Sequence, residues 1–333
     1  MRFDPCSPLA ILGLAASLLV SDSPAALGGL DVSSLGRIEG MSETDEQDGS
    51  AEKWRAVQML LGADGGRVAI QQVATDLGGN TSVRNNDPLE WKERGYYQRN
   101  RDLGQVFTAE SAFTMDALVL RTGPDTAAFL EGSAGTPVFI QLFAVEGEPV
   151  IHDNGTPVGS RATHGFSTNH RCDDYVTGVR YRSIGVVTGG VLPDLTAGGD
   201  GRLVYMKWDL TEDDEPTFEA GRRYAFMIGI EEPGPERGFT LANRNNASSP
   251  EPPSIADSDD TYHGGWGLRR EGNGRRRSRV ERRTEPSDAE TRDRLKGESS
   301  FPGGDLRYAI PPTCDGYPDV DTYRDLEFYV IRR

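Results

Sequence analysis

Residues 203–210 read L-V-Y-M-K-W-D-L. Val204, Met206, Trp208 and Leu210 fall on one side of an extended chain; Leu203, Tyr205, Lys207 and Asp209 fall on the other. Alternation with a period of two marks a strand with one face in a core and the other toward water. The same reading extends in both directions. Downstream, Ala220-Gly221 sets a turn before a second strand, Arg223 to Ile230, and Gly238 to Ala242 follows. Upstream lie Gln105 to Thr108 and then Phe113 to Leu120, which places Phe113, Met115, Ala117 and Val119 on one face. Pro137 to Val145 is apolar on both faces, as a strand central to a sandwich must be. Val179 to Val187 and Leu326 to Ile331 complete the set.

The chain holds 40 Gly and 20 Pro, which supply the turns that many short strands require. With no long amphipathic helix between the strands, the pattern predicts an all-β, antiparallel β-sandwich. Nearer the start, Trp54 to Leu61 and Val68 to Val73 flank G-A-D-G-G. A hairpin is the natural reading of that tight-turn signal, with a short helix as the alternative for the first segment.

The amino-terminal residues read as a leader. Leu9 to Val20 is an unbroken run of apolar and small residues, a length that suits a signal peptide and falls short of a bilayer span. Ser23-Pro24-Ala25 places small residues for cleavage after Ala25. The expected division is therefore residues 1–25 as signal peptide, 26–50 as linker, and one sandwich domain over 51–333. Within that domain the core spans about 100–245, the last strand is 326–331, and a charged insertion occupies about 246–305. The protein is expected to be secreted or periplasmic, with no membrane insertion after cleavage. Of three cysteines, Cys6 leaves with the leader. Cys172 and Cys314 are expected to pair as a disulfide in an oxidising compartment.

A formal net charge of −16 excludes a nucleic-acid partner, which requires a basic footprint. The run Arg275-Arg276-Arg277 does not change this, because Glu281, Glu285, Asp288, Glu290 and Asp293 follow closely and read as a solvated insertion. The sequence contains no phosphate-binding glycine loop, dinucleotide fingerprint or nucleophile elbow.

Taken in order, L-G-Q-V-F-T (103–108), F-T-M-D-A-L-V-L (113–120) and P-V-F-I-Q-L-F (137–143) resemble the opening strands of jelly-roll modules in secreted bacterial proteins. V-Y-M-K-W-D-L (204–210) followed by F-E-A-G-R-R-Y-A-F-M-I-G (218–229) is similar to the strand–turn–strand that closes such modules. The resemblance covers about residues 100–245. It implies a jelly-roll-like sandwich and, by analogy of fold alone, carbohydrate binding or adhesion, some jelly rolls being polysaccharide lyases or glycosidases. The expected partner is a polysaccharide or cell-surface glycan.

Four constellations are candidates for chemistry. Arg161 to Tyr175, R-A-T-H-G-F-S-T-N-H-R-C-D-D-Y, is a dense polar run between strands, the usual setting of a site on a rigid scaffold. In an enzyme, His164 or His170 would serve as base, Arg171 would neutralise a uronate, and Tyr175 or Tyr181 would be the acid. His152, His164 and His170 with Asp153, Asp173 and Asp174 are also a ligand set for a transition metal, although no zinc spacing is met. Aromatic residues in loop-like stretches, chiefly Trp91, Tyr97, Tyr262 and Trp266, suit the apolar face of a sugar. Finally, Asp315, Asp319, Asp321 and Asp325 offer hard oxygen ligands for calcium, at a spacing unlike the EF-hand loop.

Overall fold

The computed structural model describes residues 26–41, 49–75, 80–85, 101–124, 126, 134–152, 175–198, 201–211, 215–232, 234, 237–245, 262–271, 320–321 and 324–333. Its strands are β1 (Ala26–Gly36), β2 (Val68–Gln72), β3 (Asn80–Arg84), β4 (Arg101–Thr108), β5 (Phe113–Arg121), β6 (Pro137–His152), β7 (Tyr175–Val191) and β8 (Tyr205–Leu210). They continue with β9 (Thr217–Phe218), β10 (Arg223–Ile230), β11 (Gly238–Asn245), β12 (Gly267–Glu271), β13 (Val320–Asp321), β14 (Arg324–Leu326) and β15 (Phe328–Arg332). One helix, α1 (Ala51–Leu61), accompanies them among the described residues. None there is long and apolar enough to cross a membrane.

The strands form an all-β sandwich. One sheet, A, runs β11-β3-β4-β10-β6-β7; the other, B, runs β1-β8-β5-β15-β2. The alternation read in residues 204–210 holds within the strand: Met206, Trp208 and Leu210 lie in the core between the sheets, while Lys207 and Asp209 pair with each other outside it. The strand itself begins at Tyr205. Leu203 sits in the preceding turn in the left-handed backbone region, with φ 58°, and is buried alongside Val204. The inter-sheet core also takes Phe107, Leu118, Leu120, Ile140, Leu142, Phe226, Ile228, Phe328 and Val330, residues that alternate along their strands.

Both seams between the sheets are made by strands that change partner along their length. β1 pairs parallel with β7 through Ala26 and Gly29, then antiparallel with β8 from Leu30 to Gly36. At the other seam β14 pairs with β11, and after Glu327 the chain continues as β15 between β5 and β2. The Glu327 N–H donates to the Ala242 carbonyl at 2.9 Å, fixing that crossing. Such switches are how two packed sheets turn their corners.

Three expectations change. Residues 26–36 form a central seam strand where a linker was expected. From Gly29 onward Leu30 and Val32 are the buried residues of β1, each 6% exposed, and Gly and Ser dilute its apolar signal. The segment before G-A-D-G-G is the helix α1, and the glycines form a 3₁₀ turn, Gly62–Arg67, in place of a hairpin. Ser50 caps α1 by accepting from the Lys53 N–H at 3.1 Å, and the helix buries Lys53, Val57 and Leu61. Within the stretch assigned to a charged insertion, Gly267 to Glu271 pairs with β4 as β12. One close approach depends on glycine: a Cβ at Gly104 would lie 2.0 Å from the Phe226 carbonyl oxygen.

Candidate functional site

The long strands β6 and β7 decide where the polar run is presented. Val145 pairs with Tyr181, and the two strands continue outward until His152 faces Tyr175 across the ladder. The chain between them, 153–174, holds His164, His170, Arg171 and Cys172, which lie outside the described residues, as do Trp91, Tyr97, Asp315, Asp319 and Cys314. Its point of departure is nonetheless fixed. Val145 is one end of a rung that continues through Arg223 to Thr108. The Thr108 hydroxyl donates to the Gly264 carbonyl at 2.7 Å. The aromatic–glycine patch Tyr262-His263-Gly264-Gly265-Trp266 therefore lies at the end of sheet A from which the β6–β7 hairpin projects, the polar run leaving only further out, past His152.

That patch is built from both faces of the sheet. Trp266 lies against the outer face, where Val106, Phe143, Val145, Ala225, Met227 and Leu268 form a second buried cluster. Its indole N–H donates to the Tyr181 hydroxyl at 2.9 Å. Trp266 sits beside β4 and Tyr181 on β7, so β10 and β6 lie between them. The two rings therefore meet above β10 and β6, over the outer-face cluster that includes Ala225 and Met227.

This corrects the expectation for Trp266. At 2% exposure it is part of a packed face and offers no ring to solvent. Tyr262 is half-buried, with its ring edge-on to Phe328 at 5.2 Å and packed against the inter-sheet core. The exposed groups at this end are His263, Glu146 and Glu148, with Arg182 paired to Glu146 at 2.8 Å and Arg222 to Glu219 at 2.9 Å. The surface there is polar and of mixed charge.

The acidic residues do not share one environment. Asp321 belongs to β13 and pairs with Gly267 by register, while Asp325 is buried in β14 and accepts from the Gln105 amide at 2.6 Å. Among the described residues no group of three or more His, Cys, Asp or Glu is placed to hold a metal ion.

Sequence reasoning missed a charged cluster beneath α1. Glu327 is fully buried, and its Oε2 accepts from Lys53 at 3.0 Å and from Arg121 at 3.2 Å. Its Oε1 accepts from the hydroxyls of Tyr205 at 2.8 Å and Tyr329 at 2.9 Å. Burial alone would raise the Glu327 carboxyl, but the charges of Lys53 and Arg121 outweigh it and hold the group below the usual carboxylate range. Burial pushes both tyrosines well above their ordinary value, so they remain protonated donors. Lys53 also donates to the Val73 carbonyl, and Trp54 stacks on Tyr329 with ring centroids 5.8 Å apart. The cluster is sealed from solvent and acts as a clamp between the helix and sheet B. The one signal that could have found it is a lysine in the first turn of a helix with an apolar face.

Searched against family models, curated proteins and solved structures, the chain matches none.

Proposed function

We propose that this is a secreted, non-catalytic carbohydrate-binding or surface-adhesion module whose ligand sits at the Thr108 end of sheet A. One observation carries the reading: the 262–266 patch lies at the end of sheet A from which the β6–β7 hairpin projects toward the 153–174 polar run. A sheet end with hydrogen-bonding groups and half-buried rings suits a sugar, which presents hydroxyls at its edge and an apolar face. Export through residues 1–25 and a Cys172–Cys314 disulfide belong to the same proposal, as does calcium at the carboxyl-terminal aspartates.

The test incubates residues 26–333 with neutral and anionic polysaccharides, in calcium or in EDTA, following protein depletion and product release in the same tubes. Depletion without products is the expected result. It should weaken in His263→Ala combined with Glu148→Ala, both exposed at the proposed end. Release of unsaturated or reducing-end products would instead make His164, His170, Arg171 and Tyr175 the centre of a polysaccharide lyase or glycosidase. Neither signal would favour a structural envelope protein without a small ligand.

A further inference from the structure

We propose that β1 is an exchangeable strand: the slot between β7 and β8 accepts β1 from a second copy of this chain, linking molecules through their amino-terminal strands. Two neighbouring elements are held in very different ways. α1 is anchored by the buried Lys53–Glu327 pair and the Trp54–Tyr329 stack. β1, joined to α1 through residues 37–50, places Leu30 and Val32 in the inter-sheet core and packs Leu35, partly buried, against the cluster over sheet B, while Gly29, Asp31 and Ser34 are exposed. β1 is also held by its ladders to β7 and β8, with bonds from the Thr211 N–H and hydroxyl to the Gly29 carbonyl at 3.0 and 2.7 Å. A second copy's β1 would reproduce every one of those bonds. β1 is the first element among the described residues.

The slot is both specific and in need of filling. A Cβ at Gly190 would lie 2.7 Å from the Leu30 side chain, so the groove is shaped to this strand's own leucine. When β1 leaves, β7 and β8 become open edges at once, because β1 is the partner of both. Open edges recruit whichever strand fits. Within one chain the connection returns β1 to its own slot; at high concentration a neighbour's strand competes. Each copy gives one strand and takes one, so exchange yields a closed dimer or an open chain.

The test uses residues 26–333 with Cys172 and Cys314 replaced by Ser, carrying either Ser33→Cys or Lys207→Cys, positions that are partners across β1 and β8. Co-refolded from urea at high concentration, the two variants should give a disulfide-linked species of twice the monomer mass containing the 33–207 cross-linked peptide. Ser33→Cys mixed with Thr196→Cys, at an exposed position outside β8, should give no corresponding peptide. Deleting residues 43–46 shortens the return path and should shift the chain from monomer to dimer and higher multiples by light scattering. The proposal is overturned if Ser33→Cys/Lys207→Cys closes within one chain while the mixed single variants give no 33–207 peptide. A shortened connection that leaves the protein folded and monomeric overturns it equally. If the deletion prevents folding, the mixed cross-link decides.

Discussion

The two outer faces of the sandwich are both buried, by opposite means. Over sheet B, α1 covers Ala117, Val119, Tyr205, Tyr329 and Ile331, and its lysine enters a buried ionic cluster. Over sheet A, Trp266 and Tyr181 reach across an apolar surface and join through one neutral hydrogen bond. A buried ion pair gains little net stability once desolvation is charged against it, yet removing one partner strands the others. An aromatic bridge adds burial and loses it in proportion. The first face should therefore fail abruptly and the second gradually.

Glu327→Ala tests that difference most sharply. It leaves Lys53 and Arg121 buried without their carboxylate and two tyrosine hydroxyls without their acceptor. A loss of about 3–5 kcal/mol is expected in urea unfolding. A loss under 1 kcal/mol would mean that the charges are hydrated and the clamp is not closed.

The acid limb of stability should report the same group. The Glu327 carboxyl titrates below its unfolded value, so the unfolded chain binds the proton first as pH falls. The contribution is present above the ordinary glutamate pKa, near 4.3, and disappears as pH drops through the lower folded value. Glu327→Gln should flatten stability against pH below about 4 relative to the parent chain. The tyrosines have the opposite sign: their stabilising protonation is complete below the unfolded value and is lost as pH climbs through the raised folded values. Identical acid limbs for parent and variant would place the acid sensitivity elsewhere.

Trp266→Phe should cost roughly 2 kcal/mol, combining a small cavity with loss of the bond to Tyr181. It is expected to keep two-state unfolding with an unchanged denaturant slope. A collapse as large as that of Glu327→Ala would erase the distinction between the two faces. The smallest effect is expected at the helix start. Ser50→Ala removes the cap on the Lys53 N–H and should lower stability by about 1 kcal/mol, read as a shift in thermal midpoint.

Strands in both sheets were legible in the sequence because each carries its own run of apolar residues. β5, β8 and β10 were read within two residues of their bounds, while β6 runs on to His152, past the expected end at Val145. β1 and β12 were not. β1 is rich in Gly and Ser and earns its place from the seam it fills, while β12 holds three charged residues in five and is recruited by the edge of β4. The turn glycines before β2 misled for a related reason. Asp64 takes up Arg67 and Lys207, so G-A-D-G-G closes a helix and not a hairpin. Of the candidate site, the aromatic–glycine patch was visible but its direction was not. Trp266 and an exposed tryptophan look alike in sequence, because only the partner across the sheet distinguishes them.

The sequence by itself determined the class of fold, through period-two alternation and abundant turn residues, and a formal net charge of −16. Those are local or summed properties and need no knowledge of neighbours. Tertiary structure alone decided which end of which sheet carries the aromatic–glycine patch and the projecting β6–β7 hairpin, since strand register sets it over separations such as Thr108 to Gly264. It also decided that a lysine at position 53 and a glutamate at 327 would meet without water. No local pattern specifies a contact between residues so far apart in the chain; the packing of one helix on one sheet creates it.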